Sequence, residues 1–338
     1  MINFQYVRAS DVADAVRLIA GDPNAKFVAG GTNLIDLMKM DVERPTTLID
    51  ITRLPLKEVE GTPGGGLRIG ALVRNTDLAY HPLVEQRYPV LASAIMAGAS
   101  QQLRNMASTG GNLLQRTRCA YFYDTATACN KREPGSGCAA IGGHNRMHAI
   151  LGASEACIAV FPSDMCVALA MLEAKVQVTG PSGDRAIAFA DFHRLPGDTP
   201  QRDNNLNPGE IITAVELPSK GFTANYTYLK IRDRLSYAFA LVSVAVGLDL
   251  DGDTIKEGRF AVGDVAPKPW RDPQAEAALN GEQANATTFA RAADVLLRDA
   301  KGGEHNTFKI DLARRTIVRA LSQAARGAPQ SQSSKKIA

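Results

Sequence analysis

The sequence predicts an α+β fold in which helices and strands mix without the strict strand–helix alternation of a doubly wound dinucleotide domain. Three observations carry this. Short strand candidates at 26–29, 47–51, 67–70 and 174–178 are separated irregularly by helical patterns. The glycine-rich turns Gly30-Gly31-Thr32-Asn33 and Thr109-Gly110-Gly111-Asn112 match neither G-x-G-x-x-G nor a loop ending in Gly-Lys-Ser/Thr. With 338 residues, 45% of them hydrophobic, the chain can bury more than one core.

The elements divide into three units. In the first, 1–56, Ser10 can cap a helix whose apolar positions are Val12, Ala13, Val16, Leu18 and Ile19, and Gly21-Asp22-Pro23 stops it. A strand at 26–29 then leads through the first glycine turn into helical residues 34–40, and 47–51 form another strand. The second unit, 57–218, holds a strand at 67–70, a turn or helix start at Asn75-Thr76-Asp77, a helix at 90–96 and the second glycine turn. Beyond a cysteine-rich excursion at about 116–158 lie an apolar segment at 165–172 and a strand at 174–178, ended by Gly180-Pro181-Ser182-Gly183. The third unit, 225–328, has an apolar run at 238–246 that periodicity leaves open between buried helix and strand. It continues with a strand at 259–263, a rigid turn at Pro267-Lys268-Pro269-Trp270 and helices at 290–300 and 312–325. The polar tail, 329–338, reads as disordered.

Composition excludes several classes. The 38 basic and 35 acidic residues give a net charge of +3 with no long block of either sign, which gives nucleic-acid binding little support. No apolar run reaches membrane-spanning length, and Met1-Ile2-Asn3-Phe4 does not open a signal peptide, so the chain is expected to carry no address of its own. Five cysteines, an odd number, with Gly135-Ser136-Gly137 between two of them, suggest ligands in a loop rather than a disulfide framework, and assembly in a reducing compartment.

Two features carry chemistry. Paired glycines free main-chain amides to converge on an anion, with Thr and Asn side chains adding donors, although a single such turn is more often merely structural. Cys119, Cys129, Cys138 and Cys157 lie within 39 residues at spacings C-x9-C, C-x8-C and C-x18-C, wider than a zinc finger's pairs. Four thiolates suit an iron–sulfur cluster; zinc and free structural thiols are the alternatives. Cys166, in the apolar Met165-Cys166-Val167-Ala168-Leu169, reads as a buried small hydrophobe. His144 and His148, in the same excursion, are possible substitute ligands or local hydrogen-bonding groups.

Ala29-Gly30-Gly31-Thr32-Asn33-Leu34, Gln102-Leu103-Arg104-Asn105, Thr109-Gly110-Gly111-Asn112-Leu113, Pro162-Ser163-Asp164 and Lys230-x3-Arg234-x-Ser236-Tyr237-Ala238 together resemble the FAD-binding subunits of xanthine dehydrogenase-like molybdenum hydroxylases. The resemblance extends over most of residues 4–325. Val265-Ala266-Pro267-Lys268-Pro269-Trp270-Arg271 and Gly303-Glu304-His305-Asn306 also resemble the bacterial periplasmic aldehyde oxidoreductase subgroup.

The resemblance implies a two-lobed FAD-binding module of the vanillyl-alcohol-oxidase (PCMH) type followed by a C-terminal α/β domain of the CO dehydrogenase flavoprotein type. Val28, Ala29, Gly30, Gly31, Thr32, Asn33 and Leu34 would hold the pyrophosphate, and Thr109, Gly110, Gly111 and Asn112 would line the flavin's other side. Asp164 would lie near the adenosine-ribose end, unless it only caps the helix beginning at Met165. Lys230 would lie near the isoalloxazine ring, where a cation stabilises negative charge on reduced flavin. Cys119, Cys129, Cys138 and Cys157 would ligate a [4Fe–4S] cluster. The implied partners are a large molybdenum-cofactor subunit oxidising aldehydes, aromatic ones in particular, a small subunit with two [2Fe–2S] clusters, and an external electron acceptor. No catalytic residue is expected in this chain, and export to the periplasm is expected as a passenger on a signal-bearing partner, with a cytoplasmic complex as the alternative. Other readings are the FAD subunit of a hydroxybenzoyl-CoA reductase-like complex and a zinc-stabilised, non-enzymatic assembly protein.

Overall fold

The computed structural model describes residues 1–235 and 237–332; Ser236 of the Lys230 motif and 333–338 of the tail lie outside the described residues. Three sheets organise the described residues. Strands Gln5–Arg8, Thr47–Asp50 and Ala25–Val28 form a parallel sheet with Thr47–Asp50 in the middle. Helix Val12–Gly21 packs Ala15 into its core, beside Ala25 and Ile49. Its cap is Asp11, which accepts from the Asp14 N–H at 2.8 Å; Ser10, expected to cap, instead bonds to the Asp14 carboxylate. The carboxylate fits because it carries charge to the helix N-terminus. Gly21 does not stop the helix either, but forms its last residue.

The second sheet is antiparallel, in the order Val59–Gly61, Leu67–Gly70, Ile211–Leu217, Lys175–Gly180, Gly183–Ala188. Strand Ile211–Leu217, which the sequence reading passed over although Asn207-Pro208-Gly209 precedes it and Pro218 follows it, ties its two ends together. Helices Pro89–Ala97 and Asp164–Met171 cover this core, and every residue of the second is buried. Cys166 sits there fully enclosed, its thiol pushed up to about 12 by burial, as a small hydrophobe should be.

Strands Asn225–Ile231, Val242–Asp251 and Thr254–Gly263 make the third sheet, antiparallel with the second of them central. The ambiguous apolar run is thus largely a strand, and its lack of alternation has a physical cause. Val242, Val244, Val246 and Leu248 face the core of helices Ala286–Leu297 and Phe308–Ala325, while Ala245 packs into the core beneath helix Asp164–Met171. Both faces are buried, so neither is polar. Glycines admit the close approach: a Cβ at Gly263 would lie 2.5 Å from a Val167 methyl. The C-terminal unit is thereby packed onto the second sheet's helices. The described part of the tail is also held, not loose: the Gln330 N–H donates to Thr227 Oγ1 at 3.0 Å and Gln332 Nε2 to the Tyr228 carbonyl at 3.1 Å.

Candidate functional site

The first glycine turn follows strand Ala25–Val28 and feeds helix Leu34–Lys39. Gly31 sits at φ +72°, a left-handed conformation that glycine adopts without strain. Gly30 lies so close to the second lobe that a Cβ there would stand 1.9 Å from the Met106 carbonyl oxygen. Among the described residues, the main-chain N–H groups of 29–34 donate to no protein acceptor. Asn33 fixes its carbonyl oxygen on the Arg116 N–H at 2.9 Å, leaving its amide nitrogen buried without a partner. Buried donors without partners are costly, so a run of free amides beside a buried unpaired Nδ2 suits an anionic ligand such as a pyrophosphate.

The second turn lies alongside but works differently. Thr109 N donates to the Val73 carbonyl (2.9 Å), Gly110 N to that of Ala71 (2.8 Å), Gly111 N to Ser108 Oγ (3.3 Å) and Asn112 N to the Ser108 carbonyl (2.9 Å). Its amides are already satisfied, which corrects the expectation that they converge on an anion. Helix Thr109–Leu113 instead presents a wall in which Gly111 is exposed and Asn112 half-buried, with Asn112 Oδ1 accepting from Ser163 Oγ at 2.6 Å. The sequence shows Gly-Gly in both turns; the carbonyls of residues 71 and 73, together with the cap Ser108, distinguish them.

Asp164 and Lys230, expected near opposite ends of the flavin dinucleotide, form one ion pair, Nζ to Oδ2 2.8 Å, with both side chains buried. An extended dinucleotide cannot have its two ends at one ion pair, so that assignment is corrected: both residues mark a single location. Tyr228 donates its hydroxyl to Asp164 Oδ1 at 2.7 Å, and Lys230 also donates to the Ala97 carbonyl at 3.2 Å. With Asp164 beside it, the Lys230 charge is locally neutralised and acts at a distance as part of a dipole. Asp164 is not the helix cap; Ser163 is, accepting from the Cys166 N–H at 3.1 Å. Behind the pair, burial pushes the Asp264 carboxyl upward and the Lys309 ammonium downward, two groups the sequence reading passed over.

The cysteine excursion docks on helix Leu34–Lys39, directly downstream of the first glycine turn. Leu37, Phe122 and Cys129 share a small core, and Tyr123 donates to Asp36 at 3.0 Å. Arg116 anchors its start through Glu43 (2.6 Å) and Asp203 (2.9 Å), and Lys131 joins the same Asp203. Half-buried between these cations, Asp203 titrates below the usual carboxylate range, because Lys131 and Arg116 outweigh its desolvation. No sequence spacing signals this network, whose members lie as much as 160 residues apart (203 − 43).

All five cysteines are free. Cys129 and Cys138 pair across an antiparallel bridge whose turn is tied by Asn130 Oδ1, which accepts from the Gly135 and Gly137 N–H groups at 3.1 and 2.8 Å. Asn130 Nδ2 reaches the Ala156 carbonyl at 3.0 Å, bringing in the segment of Cys157. The thiols sense one another electrostatically: Cys129 and Cys157 act on Cys119, and Cys138 and Cys129 act on Cys157. Burial raises Cys157 and pushes Cys119 up to about 11. Cys166 stands apart, buried beside Ser163 and Asp164. Among the described residues no three His, Cys, Asp or Glu side chains are grouped to hold a single metal ion. Four thiols from one excursion are a soft donor set of the kind an iron–sulfur cluster takes, and His148 Nε2 lies 3.1 Å from Cys119 Sγ.

Residues 2–220 match the family described as the FAD binding domain in molybdopterin dehydrogenase, and 226–324 match the CO dehydrogenase flavoprotein C-terminal domain. The chain belongs to this family of FAD-binding subunits. It is 53% identical to the Escherichia coli aldehyde oxidoreductase FAD-binding subunit PaoB over 95% of this chain and 98% of that protein. It is 29% identical to the glyceraldehyde dehydrogenase medium chain of Sulfolobus acidocaldarius over 83% of each. A solved carbon monoxide dehydrogenase of Hydrogenophaga pseudoflava, lacking the Mo-pyranopterin moiety of its molybdenum cofactor, superposes with a TM-score of 0.76 at 26% identity, covering 97% of this chain and 99% of that one. This FAD-binding subunit is thus an oxidoreductase component of the molybdenum hydroxylase type. Among the described residues no helix is long and apolar enough to cross a membrane.

Proposed function

We propose that this chain is the FAD- and [4Fe–4S]-carrying electron-transfer subunit of a molybdenum-dependent aldehyde oxidoreductase that acts on aromatic aldehydes, with oxidation itself performed on a large molybdenum subunit and a small subunit carrying two [2Fe–2S] clusters. The similarity to the E. coli aldehyde oxidoreductase subunit over nearly the whole of both chains carries the reading. When bound, FAD exchanges electrons in pairs or singly, and an iron–sulfur cluster one at a time. The chain's own part is to hold and orient. Amides 29–34 and Asn33 Nδ2 would neutralise the pyrophosphate, Gly111 and Asn112 would bound the opposite wall, and the Asp164–Lys230 pair would supply a fixed dipole. Cys119, Cys129, Cys138 and Cys157 would ligate the cluster on the helix that leaves the pyrophosphate turn. Addition of aromatic aldehydes to the assembled complex should bleach its flavin absorbance, and omission of the large subunit should prevent this; reduction by aldehyde without that subunit would defeat the assignment of roles.

Nothing but hydrogen bonds and charge is proposed to hold FAD, so acid or urea denaturation should release one FAD per chain into the filtrate. Flavin remaining with the precipitated polypeptide would contradict this.

The cluster reading expects about four iron atoms and four sulfides per chain. Single Cys→Ser changes at 119, 129, 138 or 157 should lower iron and sulfide together, whereas Cys166→Ser should leave both in place at a stability cost of about 1–3 kcal/mol for a buried hydroxyl. Stoichiometric zinc without sulfide would reject the cluster.

The chain is also proposed to reach the periplasm folded, as a passenger on a signal-bearing small subunit, because flavin and cluster must be installed first. Fractionation should show the subunit leaving the periplasm when the partner's signal is deleted. Undiminished periplasmic delivery would refute passenger export, and an intact complex confined to the cytoplasm would favour the alternative.

A further inference from the structure

Resting on the reading of the cysteines as cluster ligands, we infer that His148 is a built-in hydrogen-bond donor to the Cys119 sulfur, aimed by the C-terminal domain, and that it raises the reduction potential of the cluster. The observation is the 3.1 Å separation of His148 Nε2 and Cys119 Sγ at a buried histidine. A ligating thiolate has no proton to give, so the proton in this contact belongs to Nε2. Nδ1 is then the ring atom left buried without a partner.

The aim is not incidental. Asn306 Nδ2 donates to the His148 and Ala149 carbonyls at 3.1 and 3.2 Å, and the fully buried Lys309 donates to the His148 carbonyl at 2.9 Å and to that of Asp264 at 2.6 Å. The N–H groups of Ile150 and Leu151 both reach the Val265 carbonyl. Ahead of the histidine, Asn145 Oδ1 accepts from the His305 N–H at 3.0 Å. The cysteine loop thus supplies the acceptor while residues 264–309 of the C-terminal domain fix the donor's backbone on both sides. Asn306 and Lys309 are positioning residues in this arrangement. A hydrogen bond to a ligating sulfur draws off negative charge and favours the reduced, more negative state of a cluster.

The test compares the holo complex with His148→Phe, which keeps a ring but removes the donor, and His148→Gln, which restores a donor. Iron and sulfide should stay at the wild-type level in both. The potential of the [4Fe–4S] signal in a redox titration should fall in His148→Phe, on the order of tenfold in the reduced-to-oxidised ratio or 59 mV for one electron, and return toward wild type in His148→Gln. An unmoved potential in His148→Phe would overturn the inference, as would loss of iron from it comparable to a cysteine variant, which would make His148 a ligand. If His148→Phe does not fold, the wild-type complex labelled with 15N-histidine decides: weak nitrogen coupling to the cluster signal supports a hydrogen bond, and a strong direct-ligand coupling or none overturns it. Wild-type protein without iron and sulfide would remove the cluster reading itself, an outcome distinguishable from all of these.

Discussion

Gly30→Ala is expected to yield a protein that folds but has lost most of its flavin. The added Cβ would stand 1.9 Å from the Met106 carbonyl oxygen and 2.6 Å from its carbon, both main-chain atoms that no side-chain rotation can clear. Either the pyrophosphate turn or residues 106–107 must move. The turn is the softer element, since its amides from 29 to 34 are unpaired within the protein, whereas the Ala107 carbonyl is tied to the Asn75 N–H at 2.8 Å. Moving the turn displaces the donors proposed to hold the phosphates. Overpacking costs about 1–3 kcal/mol; borne by the bound state alone, that is roughly 5- to 150-fold weaker FAD binding. Gly64→Ala, where an added Cβ meets nothing within 4 Å, is the control. Titration of the released and re-added FAD measures both, and wild-type affinity in Gly30→Ala would show that the turn does not hold the cofactor as argued.

Lys230→Met should be among the most destabilising single changes in the chain. It leaves the Asp164 carboxylate buried with the Tyr228 hydroxyl as its side-chain partner. Removing one member of a buried ion pair costs about 3–5 kcal/mol, because the survivor stays desolvated. Asp164→Asn in the same chain should recover much of the loss, since a neutral amide tolerates that site, and the double-mutant cycle separates pair from packing. Thermal or urea unfolding of the holo protein reads the effect. A single variant as stable as wild type, or a double variant no better than the single, would sink the argument. An accompanying change in the flavin potential would place the dipole beside the ring.

The sequence by itself determined the class of the molecule. Irregular mixing of strand and helix signals pointed to an α+β fold, and the resemblance of the glycine turns and the motifs around Arg104, Asp164 and Lys230 to molybdenum hydroxylase subunits implied a flavoprotein; the family comparison agrees. Local chemistry explains that success, because glycine pairs and short polar motifs act within a few residues of themselves. Cys166 was legible for the same reason: an unbroken apolar run around a cysteine is a core signal.

Only the tertiary structure decided what each motif does. The two glycine turns look alike until the carbonyls of Ala71 and Val73 are brought against one of them, taking the Thr109 and Gly110 amides that Ser108 does not, while the other turn's amides stay free. Asp164 and Lys230 are 66 residues apart in the chain, and nothing local reveals that they neutralise each other. The run at 238–246 had no readable period because its strand is buried on both faces, by a helix from the middle of the chain on one and by the C-terminal helices on the other. His148 acquires its place only when Asn306 and Lys309, more than 150 residues downstream, seize its carbonyl. In each case the deciding partner is distant in sequence, and burial makes the choice: a polar group removed from water must find whichever partner the packing supplies.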